Sequence, residues 1–141
     1  MKIRLIIFDF WKTLAYFPTG NSVRLYDDAH EALNLPFKKA ILTSTSKLLI
    51  ESSGIQKLAE IFTPEMGVSK PDPRAFLMVL EKLEVKPEQA VMIGDSIERD
   101  LMPAENLGII PILIDRENKS QNYPGIKINS LKELKDVLAG L

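Results

Sequence analysis

The sequence predicts an α/β fold, a three-layer α/β/α sandwich with a mainly parallel sheet. Three observations carry this. Short apolar runs, Ile3 to Phe8, Lys39 to Thr43, Ala90 to Ile93 and Ile109 to Ile114, have the near-continuous hydrophobicity of strands buried on both faces. Stretches with helical spacing of apolar residues alternate with them, as right-handed βαβ units require. The chain has 141 residues, 45% of them apolar, which is one domain's length with material for a single core.

The first run, Ile3 to Phe8, ends at the carboxylate of Asp9. Pro18-Thr19-Gly20-Asn21, between two apolar-aromatic arms, reads as a β-hairpin turn. Asp27 or Asp28 is placed to cap a short helix to about Leu33, which Pro36 bars from continuing. Lys39 to Thr43 is the second long strand. Ser44 or Ser46 starts a helix that Gly54 ends, and Gln56 to Ile61 reads as a short helix. Asp72 followed by Pro73 marks a helix start, and Phe76, Val79, Leu80 and Leu83 form that helix's apolar stripe. Ala90 to Ile93 is a strand running into Gly94-Asp95-Ser96. The next helix is expected to turn Ile97, Leu101, Ala104 and Leu107 inward and to stop at Gly108. Ile109 to Ile114 and Ile126 to Ile128 are strands. Ser130 starts a last helix with Leu131, Leu134, Val137 and Leu138 on one face.

Composition removes several function classes. Eighteen Lys and Arg against nineteen Asp and Glu give a net charge of −1, so there is no global attraction to nucleic acid or to an anionic membrane. With no cysteine there are no disulfides and no thiolate metal sites, and the single histidine, His30, rules out a His-based metal site. No apolar run approaches the ~18 residues of a membrane span, and the N-terminus shows no basic leader region, so a cytoplasmic location is expected.

The polar residues that remain fall at strand ends: Asp9, Thr43-Ser44, Lys70 in the loop before a helix, and Asp95 with Asp100. In a parallel sheet these ends share one rim, where open α/β sheets bind their ligands. Each residue has a plainer reading. Asp9 could cap a turn, Lys70 could be a solvated surface lysine, and Thr43 could simply end a strand. Asp95, Glu98 and Asp100 could serve only a helix start. Taken together the set is more specific. Carboxylates gathered at one rim repel unless a cation sits among them, and oxygen-only ligands suit Mg²⁺. A hydroxyl and a lysine beside them suit a phosphoryl group.

Asp9-x-x-x-Thr13-Leu14, Thr43, Ser69-Lys70-Pro71-Asp72-Pro73 and Gly94-Asp95-Ser96-x-x-x-Asp100, in that order, resemble the motifs of the haloacid dehalogenase (HAD)-like hydrolase superfamily, in its phosphatase-like branch. The resemblance implies a Rossmann-like core spanning residues 1–141 as one domain, with residues 14–39 as a reduced cap or flap. It implies a Mg²⁺-dependent phosphohydrolase in which Asp9 is the nucleophile that forms an aspartyl-phosphate. Asp9, Asp95 and the backbone carbonyl of Trp11 would hold the metal. Thr43, Ser44 and Lys70 would bind the phosphoryl oxygens. Asp100 would orient Lys70 or a metal-bound water, and Thr13 would fix the turn after Asp9.

Two departures from the family pattern qualify this. Phosphatases of the family usually carry a second aspartate two positions after the nucleophile as general acid; here Trp11 stands there, and losing such help costs ~10²–10⁴ in rate. Slow turnover is therefore expected. The alternatives are a catalytically weak module that binds phosphate or protein, and a 2-haloacid dehalogenase. Relatives also often insert a large helical cap between the first two motifs, whereas Gly20-Asn21-Ser22 looks like a splice across a missing one. An open site beside Trp11, Tyr16, Phe17 and Tyr26 would leave an exposed aromatic patch. Partners expected on these grounds are a phosphorylated substrate and a second copy of the chain covering that patch, with no nucleic acid and no membrane.

Overall fold

A computed structural model describes residues 2–17 and 22–141. In chain order the strands are β1 (Leu5–Phe8), β2 (Ala15–Tyr16), β3 (Arg24–Leu25), β4 (Lys38–Leu42), β5 (Glu60–Phe62), β6 (Ala90–Gly94), β7 (Ile110–Ile114) and β8 (Ile126–Ile128). The α-helices are α1 (Ala29–Leu33), α2 (Lys47–Glu51), α3 (Pro73–Leu83), α4 (Met102–Asn106) and α5 (Leu134–Ala139).

Six strands form one parallel sheet in the order β5-β4-β1-β6-β7-β8. The first strand thus lies mid-sheet, with Phe8 in register with Ile41 on one side and Ile93 on the other. All four β1 residues are buried. Ile6 and Phe8 pack in a core with residues of α1, α2 and α5, whereas Leu5 and Ile7 pack in a second core with residues of α3 and α4. Each face of the sheet is covered by helices, so both alternating sets of side chains must be apolar. This is the Rossmann-like three-layer sandwich that the sequence predicts, and its described strands are all parallel apart from the separate β2–β3 ribbon.

β2 and β3 pair antiparallel, so the arms of the expected hairpin meet; its turn at Pro18 to Asn21 lies outside the described residues, as does most of the Gly20-Asn21-Ser22 stretch. Among the described residues no helix is long and apolar enough to cross a membrane.

Several elements differ from expectation. Glu60 and Ile61, read as the end of a helix, belong with Phe62 to the edge strand β5, and only Ile55 to Lys57 makes a helical turn there. Asp28 precedes α1 without a side-chain cap and instead pairs with Arg116, while its Oδ2 also accepts from the Leu131 N–H at 2.9 Å. Ser46 likewise makes no side-chain cap for α2. The helix after β6 begins with a π-type turn over Ile97–Leu101, which carries one extra residue and swings Ile97 to 37% exposure, whereas Leu101 and Ala104 stay buried. Asp72 does cap α3, accepting from the Arg74 N–H at 2.9 Å.

Candidate active site

Asp9 leaves the C-terminal end of β1 and is held to the sheet by its N–H, which donates to Ile93 C=O at 2.9 Å. The chain then folds into a tight loop. Phe10 C=O accepts from the N–H groups of Thr13, Leu14 and Ala15, and Lys12 takes the left-handed conformation with φ 62°. A non-glycine residue there is strained, and the surrounding hydrogen bonds hold it in place. The Thr13 hydroxyl, however, is buried without a hydrogen-bond partner among the described residues, so Thr13 stabilises the loop through its backbone; its C=O accepts from Arg116 Nη2 at 2.7 Å.

β4 and β6 flank β1, and their ends bring in the other groups. Thr43, 2% exposed, accepts at its hydroxyl from the Thr45 N–H at 3.1 Å and keeps its own O–H to donate. The loop before α3 sends Lys70 inward, where it is 5% exposed. Its ammonium donates to Asp9 Oδ1 at 2.7 Å and to Asp100 Oδ1 at 2.6 Å. The other Asp100 oxygen accepts from the Ser96 N–H at 3.3 Å. Asp100 fits beneath this turn because residue 94 is glycine: a Cβ there would lie 2.6 Å from the Asp100 carboxyl carbon. Asp95, the most open of the three acids, completes a group in which oxygens of Asp9, Asp95 and Asp100 all lie within 4.8 Å of one another.

The charges in this cluster act strongly on each other. Burial pushes the Asp9 carboxyl above its ordinary range, against the pull of Lys70, and the Asp95 carboxylate adds to the rise. Burial, joined by the Asp9 charge, pushes Asp100 up to about 6. Burial works to lower Lys70, but the two carboxylates outweigh it and raise it, so the amine stays charged. Lys70 thus balances two acids, and the third carboxylate, Asp95, stands against Asp9 with no ion pair of its own among the described residues. An oxygen-only donor set with this residual repulsion fits a divalent cation of the Mg²⁺ type.

Asp9, Trp11, Thr43, Ser44, Lys70, Asp95 and Asp100 line one cavity of ≈ 260 Å³. The structure therefore brings these sequence-predicted residues together; Glu98 is exposed and does not line it, and His30 is exposed on α1. Sequence reasoning missed three neighbours. Arg99 lines the same cavity and donates from Nη2 to Ser44 Oγ at 2.8 Å and to Lys70 C=O at 3.4 Å. Thr45 accepts from the Trp11 indole at 2.6 Å. Lys12 lines both this cavity and an adjoining one that also contains Asp95 and Arg116. Only the position of Arg99, one residue before Asp100, hinted at its place.

Residues 3–108 match the family model of haloacid dehalogenase-like hydrolases. The chain belongs to that family. Among relatives of the HAD-like chain, a glyceraldehyde 3-phosphate phosphatase of Methanopyrus kandleri is 32% identical over 88 residues, covering 57% of this chain and 38% of that protein. A phosphoserine phosphatase of Thermus thermophilus is 32% identical over 77 residues, covering 52% and 31%. The HAD-like chain thus spans under two fifths of the length of either relative. Among solved structures, a HAD phosphatase from Thermococcus onnurineus superposes with TM-score 0.86 at 20% identity, covering 98% of this chain and 99% of that one. An L-2-haloacid dehalogenase from Xanthobacter autotrophicus gives 0.83 at 14% identity, covering 99% of each. Both share the fold.

Proposed function

We propose that this HAD-like chain is a phosphohydrolase for phosphomonoesters that works through an aspartyl-phosphate on Asp9. The observation that carries the reading is the buried ammonium of Lys70 bridging Asp9 and Asp100 beside Asp95. The names of the two phosphatase relatives support the substrate class.

In this reading an Asp9 oxygen attacks phosphorus, the P–O bond to the leaving group breaks, and the leaving oxygen departs with the electron pair and takes a proton from water. Water then attacks the phosphorus of the aspartyl-phosphate, releasing phosphate and regenerating Asp9. Lys70 and the Thr43 and Ser44 hydroxyls hold the equatorial oxygens, and Asp100 holds Lys70. Asp9, Asp95 and the Trp11 carbonyl would hold Mg²⁺, which when bound neutralises charge on the phosphoryl oxygens. Phosphoryl transfer draws most of its acceleration from such positioning and charge neutralisation. Trp11 has no transferable proton, so leaving groups that must be protonated react slowly. Residues 1–141 form the core domain in this proposal, with residues 14–39 as a reduced flap that leaves the site open to water.

The test is hydrolysis of p-nitrophenyl phosphate with Mg²⁺, a substrate whose leaving group barely needs a proton. Asp9→Asn is expected to lose essentially all turnover; equal rates for the two proteins remove Asp9 from the role. A second reading, a phosphate-binding module without turnover, is favoured by one observation: the Trp11 indole, which lines the cavity, is hydrogen-bonded to Thr45 and stacked on Phe17 at 4.4 Å. It predicts phosphate binding with no Mg²⁺-dependent hydrolysis of any ester in a panel.

A further inference from the structure

The floor of the cavity and its mouth carry different cations. At the floor, Lys70 is spent on Asp9 and Asp100. At the mouth, Arg99 and Lys12 are exposed and line the same cavity. The ion pairs among the described residues occupy Lys70, Arg74, Arg116, Lys119 and Lys127, and neither Arg99 nor Lys12 belongs to any of them. Arg99 is nevertheless held in place. Its Nη2 bridges the Ser44 hydroxyl in the loop after β4 and the Lys70 carbonyl in the loop before α3, both uncharged acceptors. A long side chain pinned by neutral partners keeps its full charge and loses little further freedom on binding an anion.

A simple phosphate ester does not need these mouth cations, because Lys70, Thr43 and Ser44 already face its phosphoryl group. They sit where the remainder of a ligand would lie. We propose that Arg99, with Lys12 of the loop after β1, recognises a second anion on the ligand, so that the chain selects small phosphomonoesters that also carry a carboxylate a few bonds from the phosphate. The proposal rests on the phosphoryl site described above and deepens it by naming the ligand class. Arg99 Nε and Nη1 supply the charge-assisted donors, Ser44 and Lys70 C=O set their position, and Lys12 adds a second positive charge.

The chain has one tryptophan, Trp11, and it lines the cavity, so its fluorescence reports binding without any need for turnover. Phosphoglycolate and ethyl phosphate share the phosphate and the two-carbon frame and differ in the carboxylate. In titrations with Mg²⁺ present, the wild type is expected to bind phosphoglycolate roughly 10- to 100-fold tighter than ethyl phosphate, the range for a hydrogen bond to a charged group. Arg99→Gln is expected to erase that preference, weakening phosphoglycolate binding far more than ethyl phosphate binding. Arg99→Lys, which keeps the charge, retains part of the preference and serves if the Gln variant does not fold. Equal affinities in the wild type, a preference that survives Arg99→Gln, an equal loss for both ligands, or no binding of either overturns the proposal. Selective binding without hydrolysis leaves it standing and overturns only the hydrolytic reading.

Discussion

The indole N–H of Trp11 donates to the Thr45 hydroxyl at 2.6 Å, joining the loop after β1 to the loop after β4 across 34 residues. The same ring stacks on Phe17 and meets Phe10 edge-on at 4.8 Å. A residue without a transferable proton is thus fastened where the family pattern has an acid. Trp11→Asp is expected to raise kcat on alkyl phosphates, by up to ~10²–10⁴, while changing p-nitrophenyl phosphate turnover far less. Paired steady-state assays check this; no gain on alkyl phosphates, with the fold intact by circular dichroism, would count against the account.

Lys70→Met leaves Asp9 and Asp100 buried without their shared ammonium. Breaking a buried pair in this way typically costs about 3–5 kcal/mol. Urea unfolding should register a loss of that order, and phosphate binding should go with it. A variant as stable as the wild type would mean that the two acids are neutral in the folded protein.

The raised Asp100 carboxyl makes a signed prediction about pH. Its folded value of about 6 lies above the ordinary 3.8, so between those values the folded protein binds more protons than the unfolded chain. Stability from this group is therefore greatest at low pH and is lost as pH rises from about 4 to about 6, then stays level. In metal-free buffer, the stability of the wild type minus that of Asp100→Asn should fall by on the order of 3 kcal/mol over that window. A difference that rises with pH would reverse the assignment.

Mg²⁺ should raise the melting temperature by several degrees, since a ligand at a hundred times its Kd stabilises by about 2.7 kcal/mol. Chelation with EDTA should remove the shift, and so should Asp95→Asn. Thermal melts of the two proteins with and without Mg²⁺ decide it. An undiminished shift in Asp95→Asn would place the ion elsewhere.

Away from the cavity, Arg116 pairs with Asp28 at 2.8 Å, lies 3.6 Å over the Tyr26 ring and reaches Thr13 C=O. Arg116→Met strands a carboxylate that is only 6% exposed, and a loss of about 3 kcal/mol in denaturant unfolding is expected. If only the residues near the β2–β3 ribbon gain hydrogen exchange while global stability holds, the contact is a local clasp.

What could be read in the sequence was whatever the chain spells out locally. β1, β4, β6 and β7 were legible because burial on both faces demands unbroken apolar runs, and their ends located Asp9, Thr43 and Asp95. α3 announced itself through Asp72 and Pro73. What escaped depends on distant or irregular geometry. β5 has three residues and sits at an edge, so Glu60-Ile61-Phe62 carries no strand pattern. The π-type turn at Ile97 inserts a residue that a helical period does not foresee. Asp28 was read as a cap because its partner, Arg116, is 88 residues away. Arg99 went unremarked because its neighbours Ser44 and Lys70 come from two other loops.

Gly94 has no side chain, yet it governs how the acids and the amine are stacked. The hollow left by its missing methyl group is what Asp100 occupies. Any branch grafted there would lever that carboxylate upward, unseat Lys70, and loosen the Asp9 carboxylate that the same amine holds. The depth of the whole charged assembly is gauged by an empty space one carbon wide.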